Sequence, residues 1–138
     1  MKLFIFCNDN RPIIPGTLED VEICDVSDIS SRPDYFYSNI ESFGFIESCE
    51  SEDPFGQLLS KVGDKGSLKV VGTDIYQVAE SLSFGEITSE EFSDIAVRAN
   101  YRATSLHSLI SYLETRKDFS MEYAGISGPN YILEVKRI

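Results

Sequence analysis

A strand, a loop and a second strand ending in an acid constrain this chain more than any other feature. Met1-Lys2-Leu3-Phe4-Ile5-Phe6-Cys7-Asn8-Asp9-Asn10 reads as a buried first strand running into a loop. Val21-Glu22-Ile23-Cys24-Asp25 reads as a second strand with a carboxylate at its C-terminal end. In an open α/β sheet such an acid is placed to accept hydrogen bonds from ribose hydroxyls. The residues that follow Ile5, Phe6 to Asn10, include no glycine. A backbone that must lie against a ligand needs one there, because any side chain stands in the way. The pattern is that of a ligand-binding fold that has partly lost its ligand site.

A chain of 138 residues makes one domain, residues 1–138, and a domain of this size buries roughly two-thirds of the surface its unfolded chain exposes. The net charge of −11, from 12 basic and 23 acidic residues, argues against nucleic acid as a partner, because that affinity comes chiefly from Lys and Arg on phosphates. It favours a soluble domain, or one that meets another protein whose surface is basic. The three cysteines, Cys7, Cys24 and Cys49, are odd in number and show no two-residue spacing. They read as reduced, buried small hydrophobes rather than redox or metal residues. His107 is the one histidine, too few imidazoles for a zinc site. The N-terminal apolar run has no basic leader and no cleavage site. No apolar stretch approaches the ~20 residues that span a bilayer. The expectation is a cytoplasmic protein with no membrane contact, or one carried in an assembly made in a cell.

Alternation and helical spacing then order the chain. Strands are expected at residues 2–7, 20–26 and 34–39, the last the aromatic-rich Asp34-Tyr35-Phe36-Tyr37-Ser38-Asn39. Gly44 and Glu47-Ser48-Cys49-Glu50 mark a loop. Ser51 reads as the N-cap of a helix with Pro54 in its first turn and Phe55, Leu58, Leu59 and Val62 on one face. After a turn at Gly63-Asp64-Lys65-Gly66, a strand covers residues 67–71. Ile75, Val78, Ala79 and Leu82 share a face of the next helix, which Gly85 stops. Thr88-Ser89-Glu90-Glu91 is a capping box. A further helix begins near Ser105 with Leu106, Leu109, Ile110 and Leu113 as its buried stripe. Residues 119–124 and 131–136 alternate around a Gly-rich turn and predict a hairpin. The order β, β, β-α, β-α-α-α, β, β fits an open α/β sheet, largely parallel, with an antiparallel C-terminal hairpin.

The segment Leu59-Ser60-Lys61-Val62-Gly63-Asp64-Lys65-Gly66-Ser67-Leu68-Lys69-Val70-Val71-Gly72-Thr73-Asp74 resembles class I S-adenosylmethionine-dependent methyltransferases, and most closely the small versions found in bacteriophage genomes. There a helix leads through a Leu-Lys-Pro-Gly-Gly turn into a strand ending in an acid. Gly85-Glu86-Ile87, Ser105-Leu106-His107 and the closing Lys136-Arg137 continue the likeness. Towards the N-terminus, Ile14-Pro15-Gly16 and Asp25 fall in the family's order, but Phe6-Cys7-Asn8 stands where Gly-x-Gly would. Residues 34–39 take the place of the family's fourth strand, so its third strand and helix look deleted. The resemblance implies a Rossmann-like methyltransferase-type sheet with a truncated, degenerate cofactor half.

It also implies where S-adenosylmethionine would sit if it binds: against Cys7 and Asn8, with Asp25 on the ribose and Asn39 facing substrate at a strand end. Two readings of the loop stand side by side, one reshaped around a ligand and one in which Phe6 and Cys7 fill the vacated pocket. Asp25 is either the ribose acid or an ordinary strand-end acid, and Asn39 either substrate-facing or a turn residue. His107 has no acid placed by sequence to orient it, and Glu90 and Glu91 read as a solvated helix start. No nucleophile elbow, Walker loop or metal-protease motif is present. The expectation is a non-catalytic module without a cofactor that docks another protein, with Tyr35, Phe36, Tyr37, Phe43 and Phe45 read either as its candidate face or as core strand and helix packing. The alternatives are an active methyltransferase with an atypical loop and an acidic phage regulator of a basic host protein.

If the cysteines are free thiols, denatured but unreduced protein alkylated with iodoacetamide gains three adducts, one per cysteine. A mass spectrum with fewer would place a disulfide in the chain.

Overall fold

A computed structural model describes residues 1–6, 21–98 and 103–138. Strand β1 (Lys2–Phe6) lies between β2 (Val21–Asp25) and β3 (Tyr37–Phe43), parallel to both. β4 (Val62–Thr73) extends the parallel run beside β3, and β6 (Asn130–Arg137) and β5 (Phe119–Ser127) close it antiparallel. The sheet order is β2-β1-β3-β4-β6-β5. This is the expected open sheet, mostly parallel with an antiparallel C-terminal hairpin.

Helices α1 (Phe45–Ser48) and α2 (Pro54–Lys61) connect β3 to β4. Helices α3 (Ile75–Ser83), α4 (Ser89–Arg98) and α5 (Leu106–Glu114) connect β4 to β5. A parallel pair needs a long crossover, and helices supply it. Leu3, Ile40, Leu68, Val70, Leu133 and Val135 of the sheet, with Phe55, Leu58 and Leu59 of α2 and Leu109 and Leu113 of α5, make the core.

Three expectations shift by a few residues, each for a local reason. The third strand begins at Tyr37 rather than Asp34 and runs to Phe43. Its entry is fixed by Tyr35, at a left-handed φ of 54°, whose N–H donates to Ser60 O at 2.9 Å. The cap of α2 is Asp53, not Ser51, since Pro54 takes the first helical position and Asp53 Oδ1 accepts the Gly56 N–H at 3.1 Å. The Gly63–Gly66 turn is absorbed into β4 as a bulge: Tyr37 pairs with Val62 and Asn39 with Ser67. A Cβ on Gly66 would lie 2.9 Å from the carbonyl oxygens of Gly63 and Tyr37, so this backbone approach needs a glycine.

The capping box stands as the sequence indicates, with Thr88 Oγ1 accepting the Glu91 N–H at 3.1 Å and Glu91 Oε1 the Thr88 N–H at 3.3 Å. The hairpin turns through Gly128 at φ 60° and Pro129, glycine in the first of two turn positions, as a type II′ turn requires. Arg137 ties the chain's end to α2: Nη2 donates to Leu59 O at 2.9 Å and Nε to Val62 O at 3.0 Å. Its guanidinium lies over the rings of Phe119 and Tyr35.

Leu133 is fully buried in the central part of the sheet. Leu133→Ala should lower unfolding free energy by about 2–5 kcal/mol in urea titrations, the lost transfer energy plus the cavity. A loss below about 1 kcal/mol would contradict this packing.

Candidate functional site at the C-terminal strand ends

Strand order reverses at β1, since β2 lies on one side and β3 on the other. In open α/β sheets ligands sit beyond the C-terminal strand ends at such a reversal. The register brings Phe6 of β1 level with Asp25 of β2 and Phe43 of β3. Gly44 turns the chain at φ 70° and Phe45, Ile46 and Glu47 follow, all buried. Thr73 and Asp74 end β4 one strand further on.

Asp25 therefore stands at the C-terminal end of β2, beside the strand reversal. It is half-buried, and it caps a 3-10 turn, Val26–Ser31, by accepting the Ser27 N–H at 3.4 Å. That is a long bond, so the carboxylate keeps acceptor capacity. Asn39 lies elsewhere. It is near the start of β3, paired with Lys2, and its Nδ2 donates to Ser67 Oγ at 2.9 Å. Because β3 continues through Phe43, Asn39 sits towards the opposite edge of the sheet from Asp25. Cys7 and Asn8 lie outside the described residues. The candidate aromatic face divides: Tyr37 and Phe45 are core residues at 0% exposure, Phe43 is half-buried, and only Tyr35 and Phe36 are exposed. Cys24 and Cys49 are buried, and burial pushes the Cys24 thiol up against the opposing pull of Arg32. His107 is exposed on α5. Among the described residues, no group of His, Cys, Asp and Glu is arranged to hold a metal ion.

The residue that sequence reasoning passed over is Glu47. In the sequence it belongs to an acidic loop; in the fold it is the third residue of α1 and is 5% exposed. Tyr131 of β6 donates its hydroxyl to Glu47 Oε1 at 2.9 Å, while Oε2 has no hydrogen-bond partner. Both side chains lie over Gly72 of β4, where an added Cβ would stand 2.5 Å from the Tyr131 hydroxyl and collide with Glu47 Oε1. Gly72 thus makes room for the pair. Burial raises the Glu47 carboxyl to about 7; the backbone N–H groups of Glu47 and Thr73 and the Tyr131 hydroxyl oppose that shift. Burial and the nearby Glu47 charge hold the Tyr131 phenol well above its ordinary range.

Asp74 is the second buried acid here. Its Oδ1 accepts the N–H groups of Tyr76 and Gln77 at 2.9 and 3.2 Å, and its Oδ2 that of Leu106 at 2.8 Å. One carboxylate therefore caps α3 and anchors the start of α5. Of the three acids at these strand ends, Glu47 and Asp74 are turned into the protein, and Asp25 alone keeps a half-exposed carboxylate.

The Glu47 shift has a sign that can be tested. The folded state holds this proton more tightly than the unfolded state, so between about pH 4.5 and 7 it binds more protons. Stability from this group is highest below pH 4.5 and falls as pH rises through 7. The displacement from 4.5 to about 7 corresponds to a cost of about 3 kcal/mol at alkaline pH. Glu47→Gln keeps an acceptor for Tyr131 and removes the charge. It should stabilise the protein in urea titrations at pH 8 and change little at pH 4. Equal effects at both values would contradict a buried, proton-holding carboxyl.

No family model matches the chain, and no curated protein matches it in sequence. Solved structures do match in fold. The plantazolicin methyltransferase BpumL, in complex with a monoazolic desmethylPZN analog and SAH, superposes with a TM-score of 0.56 at 12% identity, over 85% of this chain and 58% of that one. Geranyl diphosphate methyltransferase in complex with GPP and sinefungin gives 0.55 at 9%, over 86% and 52%. A SAM dependent methyltransferase from Aquifex aeolicus gives 0.54 at 11%, over 88% and 57%. The chain spans little more than half the length of these proteins. The likeness extends over most of this chain at an identity that speaks for architecture alone, and the fold is the Rossmann-like fold of S-adenosylmethionine-dependent methyltransferases.

Proposed function

We propose that this chain is a methyltransferase-fold domain that does not transfer methyl groups and serves as a protein-interaction module. The observation that carries this reading is the state of the strand ends where the fold would hold S-adenosylmethionine. Glu47 and Asp74 are engaged by Tyr131 and by backbone N–H groups of the chain itself. From the last residue of β1 onward the sequence presents Phe6-Cys7-Asn8 in place of glycines. A cofactor of this size needs a preformed concave site that covers most of its surface. Side chains where backbone should approach oppose that.

A second reading has one observation in its favour. Asp25 stands at the end of the strand next to β1 and its carboxylate is only lightly engaged. On this reading the domain is an active methyltransferase with an atypical cofactor loop, and Asp25 holds the ribose by accepting its hydroxyls.

Isothermal titration calorimetry with S-adenosylmethionine separates the two. The non-catalytic reading predicts no heat of binding and no rise in melting temperature. A ligand present at 100 times its dissociation constant would otherwise add about 2.7 kcal/mol of stability. A dissociation constant in the micromolar range would overturn the reading in favour of the enzyme. Asp25→Ala should then weaken binding by about 1–3 kcal/mol.

A further inference from the structure

We infer that the helical arm formed by α3 and α4 is the docking surface for a basic protein segment, one that presents Arg or Lys beside apolar side chains. This rests on the non-catalytic reading above and gives the module a surface and a partner chemistry.

The first ground is the outward face of α3. A helix on a sheet turns its apolar residues inward, and α3 does so with Val78, which is buried. Its opposite stripe is Tyr76, Ala79, Glu80, Ser83 and Phe84, spaced i, i+3, i+4, i+7 and i+8, and all five are exposed. Tyr76 is 64% exposed and Phe84 71%, the latter the most exposed large hydrophobic among the described residues. Gly85, at φ 71°, ends the helix directly after Phe84. Two aromatic side chains thus flank a shallow strip made of alanine, serine and one carboxylate. Single exposed apolar residues are ordinary; a spaced pair on one stripe is the pattern of a helix-sized contact.

The second ground is charge. From residue 70 to residue 97 the sequence has no Lys or Arg and holds Asp74, Glu80, Glu86, Glu90, Glu91 and Asp94. Asp74 is buried as a cap, and the other five are exposed. The ion pairs among the described residues, Arg32–Glu22, Lys61–Asp34, Lys69–Glu134, Arg116–Asp118 and Arg137–Asp118, all lie off this arm. Among the described ion pairs none neutralises these five acids, and the one cation within the arm is Arg98, at the last position of α4. α4 packs against α3 and carries the exposed acids Glu90, Glu91 and Asp94.

The chemistry selects the occupant. An anionic polymer or an anionic bilayer is repelled by this arm. A basic segment gains twice over: guanidinium or ammonium groups lie on the faces of Tyr76 and Phe84, and the same groups pair with Glu80 and the acids of α4. Apolar contact with the rings sets the register, and the charges speed the encounter.

The test uses the full chain and a synthetic amphipathic peptide with Arg on one face and Leu on the other, titrated by calorimetry at physiological salt. Tyr76→Ala/Phe84→Ala should weaken binding at least about tenfold. Glu80→Gln/Glu90→Gln should weaken it clearly more than Glu114→Gln/Glu122→Gln, which removes the same charge from α5 and β5. Equal loss from both charge pairs would mean attraction to net charge alone and would overturn the inference, as would an aromatic pair without effect. Photo-cross-linking of the wild-type chain to the peptide should map to α3 and α4 whether or not a variant folds; cross-links centred elsewhere overturn it. Sedimentation showing that the protein alone self-associates through Tyr76 and Phe84 would assign the surface to a second copy and overturn it too. Cofactor titration on the same protein reads the strand ends separately. Binding of S-adenosylmethionine removes the non-catalytic reading and leaves the peptide result standing, and a failed peptide titration leaves the cofactor result standing.

Discussion

A carboxyl group buried where three strands meet organises this molecule. Glu47 enters from α1 after β3, its partner Tyr131 comes from β6, and both lie over Gly72 of β4. Segments far apart in sequence therefore converge on one hydrogen bond in a dry setting, where an unmatched charge is costly. Two features follow from it. Gly72 cannot carry a side chain, and the carboxyl holds its proton up to near neutrality. The orphaned Oε2 shows the arrangement to be imperfect, and a buried polar group left half-satisfied is a cost the surrounding core must offset. Asp74 completes the pattern one strand end further, joining β4, α3 and α5 through three backbone N–H groups.

The strand ends that could form a ligand crevice in this architecture are thus cross-braced by the protein's own acids. A fold permits a function without conferring it, because function resides in the side chains placed on it. Here the side chains at the β3, β4 and β6 positions serve cohesion, while the α3–α4 arm carries exposed aromatic and acidic groups.

Much of the architecture was legible before any coordinates. Apolar alternation located the strands, the Thr88–Glu91 box and Ser105 marked two helix starts, and the Gly128-Pro129 turn marked the hairpin. These signals are local, with each residue's role set by its near neighbours. What the sequence hid is long-range. Glu47 stands among Glu50, Glu52 and Asp53 in a stretch that reads as solvated acid. Its burial follows from Phe45 and Ile46 packing inward and from Tyr131, 84 positions away, finding it. For the aromatics Tyr37 and Phe45 the sequence left docking face and core packing both open, and the fold buries both, one at the start of β3 and one at the start of α1. Asn39 was displaced from the strand end by the extension of β3 through Phe43. Tyr76 and Phe84 could have been found as a stripe on α3, but helical spacing alone does not tell an outward stripe from an inward one.

Backbone amide NMR during titration with S-adenosylhomocysteine examines the strand ends residue by residue. The account predicts that the resonances of Asp25, Gly44, Glu47 and Asp74 stay in place up to ligand concentrations on the order of 1 mM. Saturating, concentration-dependent shifts centred on Asp25 and Gly44 would contradict it, showing that the crevice at the β1 reversal still accepts the nucleoside.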